Sequence, residues 1–218
     1  MQLHSSEVKP TLISFVRHGH VSTLQEVYYG RLPQFRLSQM GVIQAKATSV
    51  ALQDRNIESI FSSPLLRARQ TASIIQSTLN LPSIRISHLL NEVKTPFDGY
   101  CLSDIYARNW DLYSHNLLGY EQPADILSRA MKFITKIRFS YVGKHLAAIT
   151  HGDFIAYLIL WANAVPISIK AKDDFRCLGL PDKYPNLGSI TTLTFYTSDD
   201  KEQPSIKYCS PSHTSLFK

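Results

Sequence analysis

The chain has 218 residues, 44% of them hydrophobic, which is enough for one sizeable core and argues against extended disorder. The net charge is +6 and the pI about 9.2. The lysines and arginines are scattered, however, with no dense basic tract and no aromatic RNA-binding motif, so nucleic acid is not an expected partner. An anionic substrate is compatible with the charge. No run of about 18 apolar residues exists, so no membrane span is expected. The opening MQLHSSEVKP lacks the apolar core of a secretory signal, which leaves the cytoplasm as the expected compartment. Cys101, Cys177 and Cys209 are odd in number, far apart and without a CxxC pair, so neither a disulfide framework nor a zinc knuckle is expected.

Thr11 to Arg17 (TLISFVR) is short, apolar and rich in β-formers, and reads as a buried strand. Ser38 can cap a helix running to about Arg55, with Met40, Ile43, Ala47, Val50 and Ala51 near helical spacing. Ser59 to Ser62 reads as a second strand. A helix follows from about Leu65 to Leu79, with Pro64 suited to its first turn. Ile84 to Ser87 is a third strand, and Leu89 to Tyr100 is loop-like. Helices are predicted over Leu102 to Tyr113 and from Pro123 to about Ser140. HLAAIT, residues 145 to 150, is another buried strand, followed by a helix from Asp153 to Ala164. Residues 165 to 188 are irregular, Ser189 to Tyr196 is a late strand, and Ile206 to Cys209 is an edge strand. Strands alternating with helices predict an α/β fold, a three-layer αβα sandwich on a mainly parallel sheet. One domain over residues 1–218 is expected, with its core at about 11–209 and variable lid segments at about 89–122 and 165–188.

Two apolar strands end alike, one in His18-Gly19 and the other in His151-Gly152. Ligands of open α/β sheets bind beyond the carboxyl ends of the strands. If the two strands are parallel neighbours, both histidines sit at one rim, and each glycine lets the backbone turn and approach a ligand. Arg17, at the end of an apolar strand, is costly to bury without an anion, and its planar fork suits phosphate. In FSSPLLRARQTA, residues 61 to 72, Arg67 and Arg69 fall at the start of a helix, where anions are favoured. Arg69 reads as a surface residue.

VRHG at 16 to 19, SSPLLRARQTA at 62 to 72, the loop around Glu92 and THG at 150 to 152 follow in the order of the histidine phosphatase superfamily, the phosphoglycerate mutase-like group. RLSQMGVIQA at 36 to 45 is similar to that family's lead into its first helix. The resemblance covers residues 11 to about 197. It implies that His18 is the nucleophile taking up the phosphoryl group, and that Arg17, Arg67 and His151 bind the phosphate. It implies further that Glu92 gives a proton to the leaving oxygen, that the Gly19 carbonyl positions His18, and that the backbone at Gly30 approaches substrate. Gly152 opens the second histidine's turn. The residue types suit the chemistry. A neutral imidazole can attack phosphorus, and two arginines with a second histidine can neutralise charge as a metal would.

The sequence departs from the family in places. Where an asparagine is common, this chain has Leu24, so Ser22 or Thr23 is the candidate replacement contact. His20 follows the RHG where an acidic residue is commoner. The acid loop reads NEVKTPFDG, in which Glu92 is the best match and Asp98 and Asp153 are rivals. Three other readings remain. One is a phosphoglycerate mutase, disfavoured by the compact chain. Another is a non-catalytic phosphate-binding module. The last is a metallohydrolase built on His18-x-His20 and His151-x-Asp153, whose spacing gives no complete ligand set. No cofactor and no metal are expected. A phosphorylated small molecule is the expected partner, a membrane is not, and a homodimer is left open. His4, His88, His115, His145 and His213, with Trp110 and Trp161, are read as structural.

Overall fold

A computed structural model describes residues 9–23, 26–114 and 118–212; Leu24, His4, His115 and His213 lie outside them. Strand β1 (Thr11–Arg17) is buried and pairs in parallel with β4 (His145–Thr150) and antiparallel with β5 (Ile190–Phe195). On its far side β4 takes β2 (Ile57–Ser62), which takes β3 (Ile84–Ile86), both in parallel. β6 (Ser205–Cys209) closes the other edge antiparallel to β5, giving the order β3-β2-β4-β1-β5-β6.

Alternation along the strands explains the layers. Ile13 and Phe15 of β1, Phe61 of β2 and Leu146 and Ala148 of β4 face one side. There Phe15 meets Phe133 of α4 (Pro123–Ser140) and Phe154 of α5 (Gly152–Ala162). Val16, Ile60, Ala147 and Ile149 face the other side and pack with Leu52 of α1 (Gln39–Leu52) and Ala68, Ala72 and Ile75 of α2 (Leu66–Thr78). Apolar surface is thus buried on both faces of the sheet, and the expected αβα sandwich with a mainly parallel sheet is observed.

Local signals held at several ends. The Ser38 hydroxyl caps α1 by accepting from the Gly41 N–H. Pro123 opens α4 beside a reciprocal Gln122–Asp125 capping box. Other expectations need correction. Met40 and Val50 are exposed, because α1 turns its small residues Gly41, Ala45, Thr48 and Ser49 inward. Pro64 precedes α2, whose cap is Leu65. The helix predicted to reach Tyr113 stops at Ala107 (α3, Leu102–Ala107), since Asn109 and Trp110 both take left-handed backbone angles. α5 ends at Ala162, where the Asn163 side chain donates to the Ile159 carbonyl and Ala164 turns left-handed. The irregular stretch holds two short 3-10 turns, Lys170–Lys172 and Phe175–Leu178. No helix among the described residues is long and apolar enough to cross a membrane.

Candidate active site

Sheet register builds the site. Arg17 of β1 is level with Thr150 of β4, so the next residues, His18 and His151, leave the sheet side by side. The His18 N–H donates to the Thr150 carbonyl at 3.1 Å, and the two imidazole centroids lie 5.2 Å apart. Ser62 pairs with Ile149, which puts Ser63 beside the histidines and α2 just after it. Arg67, in the first turn of α2, points inward and is fully buried, whereas Arg69 is exposed.

The hydrogen bonds assign the imidazole tautomers. His18 Nδ1 lies 2.8 Å from the Gly19 carbonyl, which can only accept, so Nδ1 carries the proton. Arg67 Nε, which can only donate, lies 3.1 Å from His18 Nε2, so Nε2 offers a lone pair. Arg67 Nη2 donates to the Gly30 carbonyl at 2.7 Å and approaches His151 Nδ1 at 3.3 Å. His151 Nε2 then donates to Ser63 Oγ at 2.8 Å. Arg67 Nη1 is buried without a partner among the described residues, as is Arg17 Nε. Buried donors without partners are rare in folded proteins, and these two are free to bond an acceptor. Arg17 Nη1 donates to the Pro185 carbonyl at 2.6 Å, and its guanidinium sits 5.2 Å from the Tyr184 ring centroid.

Glu92 closes the cluster. Its Oε2 lies 3.6 Å from His151 Nδ1 and 4.0 Å from Arg67 Nη2. Its carbonyl takes hydrogen bonds from Arg31 at 2.8 Å and Arg129 at 3.2 Å, and Glu121 pairs with both arginines. Two arginines held by one carboxylate therefore fix the loop that carries Glu92. Burial raises the Glu92 carboxyl above its ordinary pKa, with Arg67 pulling the other way. Burial, then Arg67 and Arg17, hold His18 well below the ordinary imidazole range; His151 is lowered by burial, Arg67 and His18. Both imidazoles are thus neutral at neutral pH.

Of the two rivals of Glu92, Asp153 is fully engaged, whereas Asp98 keeps its buried Oδ1 without a partner among the described residues, and burial raises its carboxyl above the ordinary value. Asp98 accepts from the Arg31 N–H at 3.1 Å beneath the Gly30 turn, where a Cβ at residue 30 would overlap its carboxylate. Asp153 is buried between Lys172 Nζ, at 2.8 Å, and the hydroxyls of Tyr113 and Tyr184. Burial pushes its carboxyl up, but Lys172 and these hydrogen bonds outweigh that, so its pKa is lowered and it stays ionised. Tyr113 comes from one expected lid segment, Lys172 and Tyr184 from the other. Asp153→Asn leaves the Lys172 charge buried and unpaired. We expect a loss of about 3 kcal/mol, a fall in Tm of roughly 6–12 °C at neutral pH. Because the native pKa is depressed, the gap between wild type and variant should narrow as pH falls through it. Equal melting of both proteins at neutral pH contradicts this.

A cavity of about 1200 Å³ opens over the cluster, reached by Arg17, His18, Glu92 and Gly152 and walled mainly by residues 102–114 and 168–184. Ser22 and Thr23 are exposed and are not among its lining residues. His20 is exposed as well and bonds Ser38 Oγ at 2.8 Å. His18, Glu92 and His151 offer ligand atoms within 4.8 Å of one another, a different set from the two spaced pairs of the metal reading. Arg67 is directed at nitrogens of both histidines, so a cation there would meet a guanidinium. Sequence reasoning missed Ser63, Tyr29 and Thr71. Ser63 was within reach, since it lies inside the quoted motif. Tyr29 sits with its ring centroid 4.7 Å from the Arg67 guanidinium. Thr71 joins the Gly19 N–H to α2 at 3.2 Å. Thr71 lies inside the same motif, and Tyr29 alone of the three shows no signal in the sequence.

Comparison with known proteins gives the family and the fold. An uncharacterized protein of Mycobacterium tuberculosis is 32% identical over 148 residues, 65% of this chain and 73% of that protein. The uncharacterized phosphatase PhoE of Bacillus subtilis is 29% identical over 150 residues, 68% of this chain and 76% of its own. A mycobacterial glucosyl-3-phosphoglycerate phosphatase superposes with a TM-score of 0.76 at 21% identity, covering 94% of this chain and all of that one (100%). The α-ribazole phosphatase of Shigella flexneri superposes at 0.70 with 18% identity, covering 93% of this chain and 96% of that one. The sequence model of the histidine phosphatase superfamily (branch 1) matches residues 13–180, and the chain belongs to that superfamily.

Proposed function

We propose that the chain is a metal-independent phosphatase that hydrolyses phosphomonoesters of small molecules through a phosphohistidine on His18. The observation that supports this most is the buried neutral His18, its Nδ1 proton held by the Gly19 carbonyl and its Nε2 lone pair facing a guanidinium. The phosphate of the substrate takes the donors of Arg67 and Arg17, and His151 binds it when its Nε2–H turns from Ser63 to a phosphate oxygen. His18 Nε2 attacks phosphorus, the bond to the leaving oxygen breaks, and Glu92 gives that oxygen its proton. Glu92, now a carboxylate, takes a proton from water. The hydroxide attacks phosphorus, the P–N bond breaks, and His18 returns neutral with inorganic phosphate released. Gly30 offers its carbonyl to Arg67 at a turn where a Cβ would overlap Asp98, and Gly152 leaves room for the Tyr184 hydroxyl. Residues 1–218 act as one unit in this reading, with segments 89–122 and 165–188 as the lids that select substrate.

The assay that tests it measures inorganic phosphate release from a phosphomonoester panel by chelator-treated protein. Interconversion of phosphate position without phosphate release is the outcome expected of a mutase. Loss of activity that returns only with added metal overturns metal independence.

Glu92→Gln should separate two substrates. Alkyl phosphates expel a basic oxygen and need its proton in the transition state, whereas nitrophenyl phosphate expels a stabilised phenolate. We expect a loss of roughly 10²-fold or more on glycerol phosphate and a much smaller one on nitrophenyl phosphate. The wild type needs Glu92 protonated and His18 neutral. Activity on alkyl phosphates should therefore fall as pH rises through the raised carboxyl value, and in acid as His18 protonates. Equal losses on both esters reduce Glu92 to a positioning residue.

A further inference from the structure

Five rings form a continuous path along the cavity. From His18 the Tyr29 ring lies 6.4 Å away, Tyr28 is stacked on Tyr29 at 6.5 Å, Trp110 meets Tyr28 edge-on at 6.4 Å, and Tyr106 meets Trp110 at 5.4 Å. All five residues line the cavity. Exposure rises outward, from 9% at Tyr28 to 41% at Trp110 and 60% at Tyr106. Backbone pairing holds the path together. The Tyr28 N–H donates to the Tyr100 carbonyl, the Gly99 N–H donates to the Tyr28 carbonyl, and Val27 bridges Cys101.

Trp110 adds a second observation. It has a φ of 58°, directly after Asn109 at 51°. A bulky side chain in the left-handed region costs about 1–2 kcal/mol. Such strain persists where the surroundings impose it, and it is concentrated at ligand sites. Here it accompanies an indole that lines the cavity wall half in solvent and fills no core. The cavity, about 1200 Å³, is also larger than a phosphate and a three-carbon leaving group require, since pockets of about 300–1,000 Å³ hold drug-sized ligands.

We propose that the leaving group of the substrate carries a planar aromatic ring system, which packs on the wall formed by Tyr28, Trp110 and Tyr106 while its phosphate lies at His18. This rests on the phosphatase reading of His18. Aromatic faces stack on aromatic rings more favourably than saturated rings of like size, which gain only area burial. A long planar group also fits a wall that runs outward from the nucleophile.

The test uses non-hydrolysable ligands, so that binding is read apart from turnover. The pair is 3-(2-naphthyl)propylphosphonate and its decahydronaphthyl counterpart, which differ in planarity and little in size. Calorimetry on the whole protein should give a Kd about tenfold lower for the naphthyl compound, as expected of one stacking contact. Trp110→Gly, which suits a positive φ, and Tyr106→Leu should each bring the two Kd values together. Kd values within twofold in the wild type, no binding of either compound, or a tenfold preference that survives both variants overturns the proposal. A naphthyl preference in protein that releases no phosphate from any monoester would instead keep the wall and sink the hydrolase reading.

Discussion

His18→Ala is expected to lose on the order of 10⁴-fold or more of kcat on any phosphomonoester, because removing a nucleophile closes the two-step route altogether. The chain should still fold. His18 makes few contacts that packing depends on: a hydrogen bond to its own neighbour's carbonyl, one from Arg67, and ring contacts with Tyr29 and His151. Phosphate and vanadate should still bind, since the arginines remain. Steady-state assays paired with calorimetry separate the two effects. Turnover within tenfold of wild type would remove His18 from the chemistry.

Arg67→Lys should cost roughly 10²–10³-fold in kcat even though the charge stays, a loss of the size seen when one donor to a developing charge is removed. One guanidinium serves His18 Nε2 through Nε and both the Gly30 carbonyl and His151 through Nη2, and keeps Nη1 unpaired beside them. A single ammonium cannot point at all of these places at once. It would also leave the buried Gly30 carbonyl or the histidine without a donor. Vanadate, which resembles the pentacoordinate state, should inhibit the variant much less than the wild type. Unchanged kcat and unchanged vanadate inhibition would show that Arg67 is a structural brace. Circular dichroism and Tm of the variant separate either result from unfolding.

The strand-to-histidine turns were legible because they are written locally: two apolar runs, each ending in His-Gly, need only parallel pairing to meet at one rim. The same holds for Ser38 and Pro123, whose capping chemistry acts within one turn. The inward aim of Arg67 and the exposure of Arg69 were legible as well, the former through the motif resemblance. What the sequence hid was set by contacts far along the chain. Asp153 reads as a rival acid in the sequence, whereas in the fold Lys172, Tyr113 and Tyr184 occupy its carboxylate. The clamp of Arg31, Glu121 and Arg129 on the Glu92 loop joins three separated segments with no periodic signal. The ends of α3 and α5 were overestimated because apolar spacing continues past residues that turn left-handed. Trp110, read as a packing residue, lines the cavity with its indole, a consequence of such a turn.

The covalent intermediate tests the central claim most directly. Wild-type protein is mixed with a phosphorus-32-labelled phosphomonoester, quenched in alkali within the first turnover, digested and mapped. A phosphoramidate survives alkali and is cleaved by acid. The account predicts one labelled peptide with the phosphate on His18, stable to alkali, labile to acid, and absent from His18→Ala. Label on a serine, aspartate or cysteine, or on His151 with His18 unmodified, would contradict it.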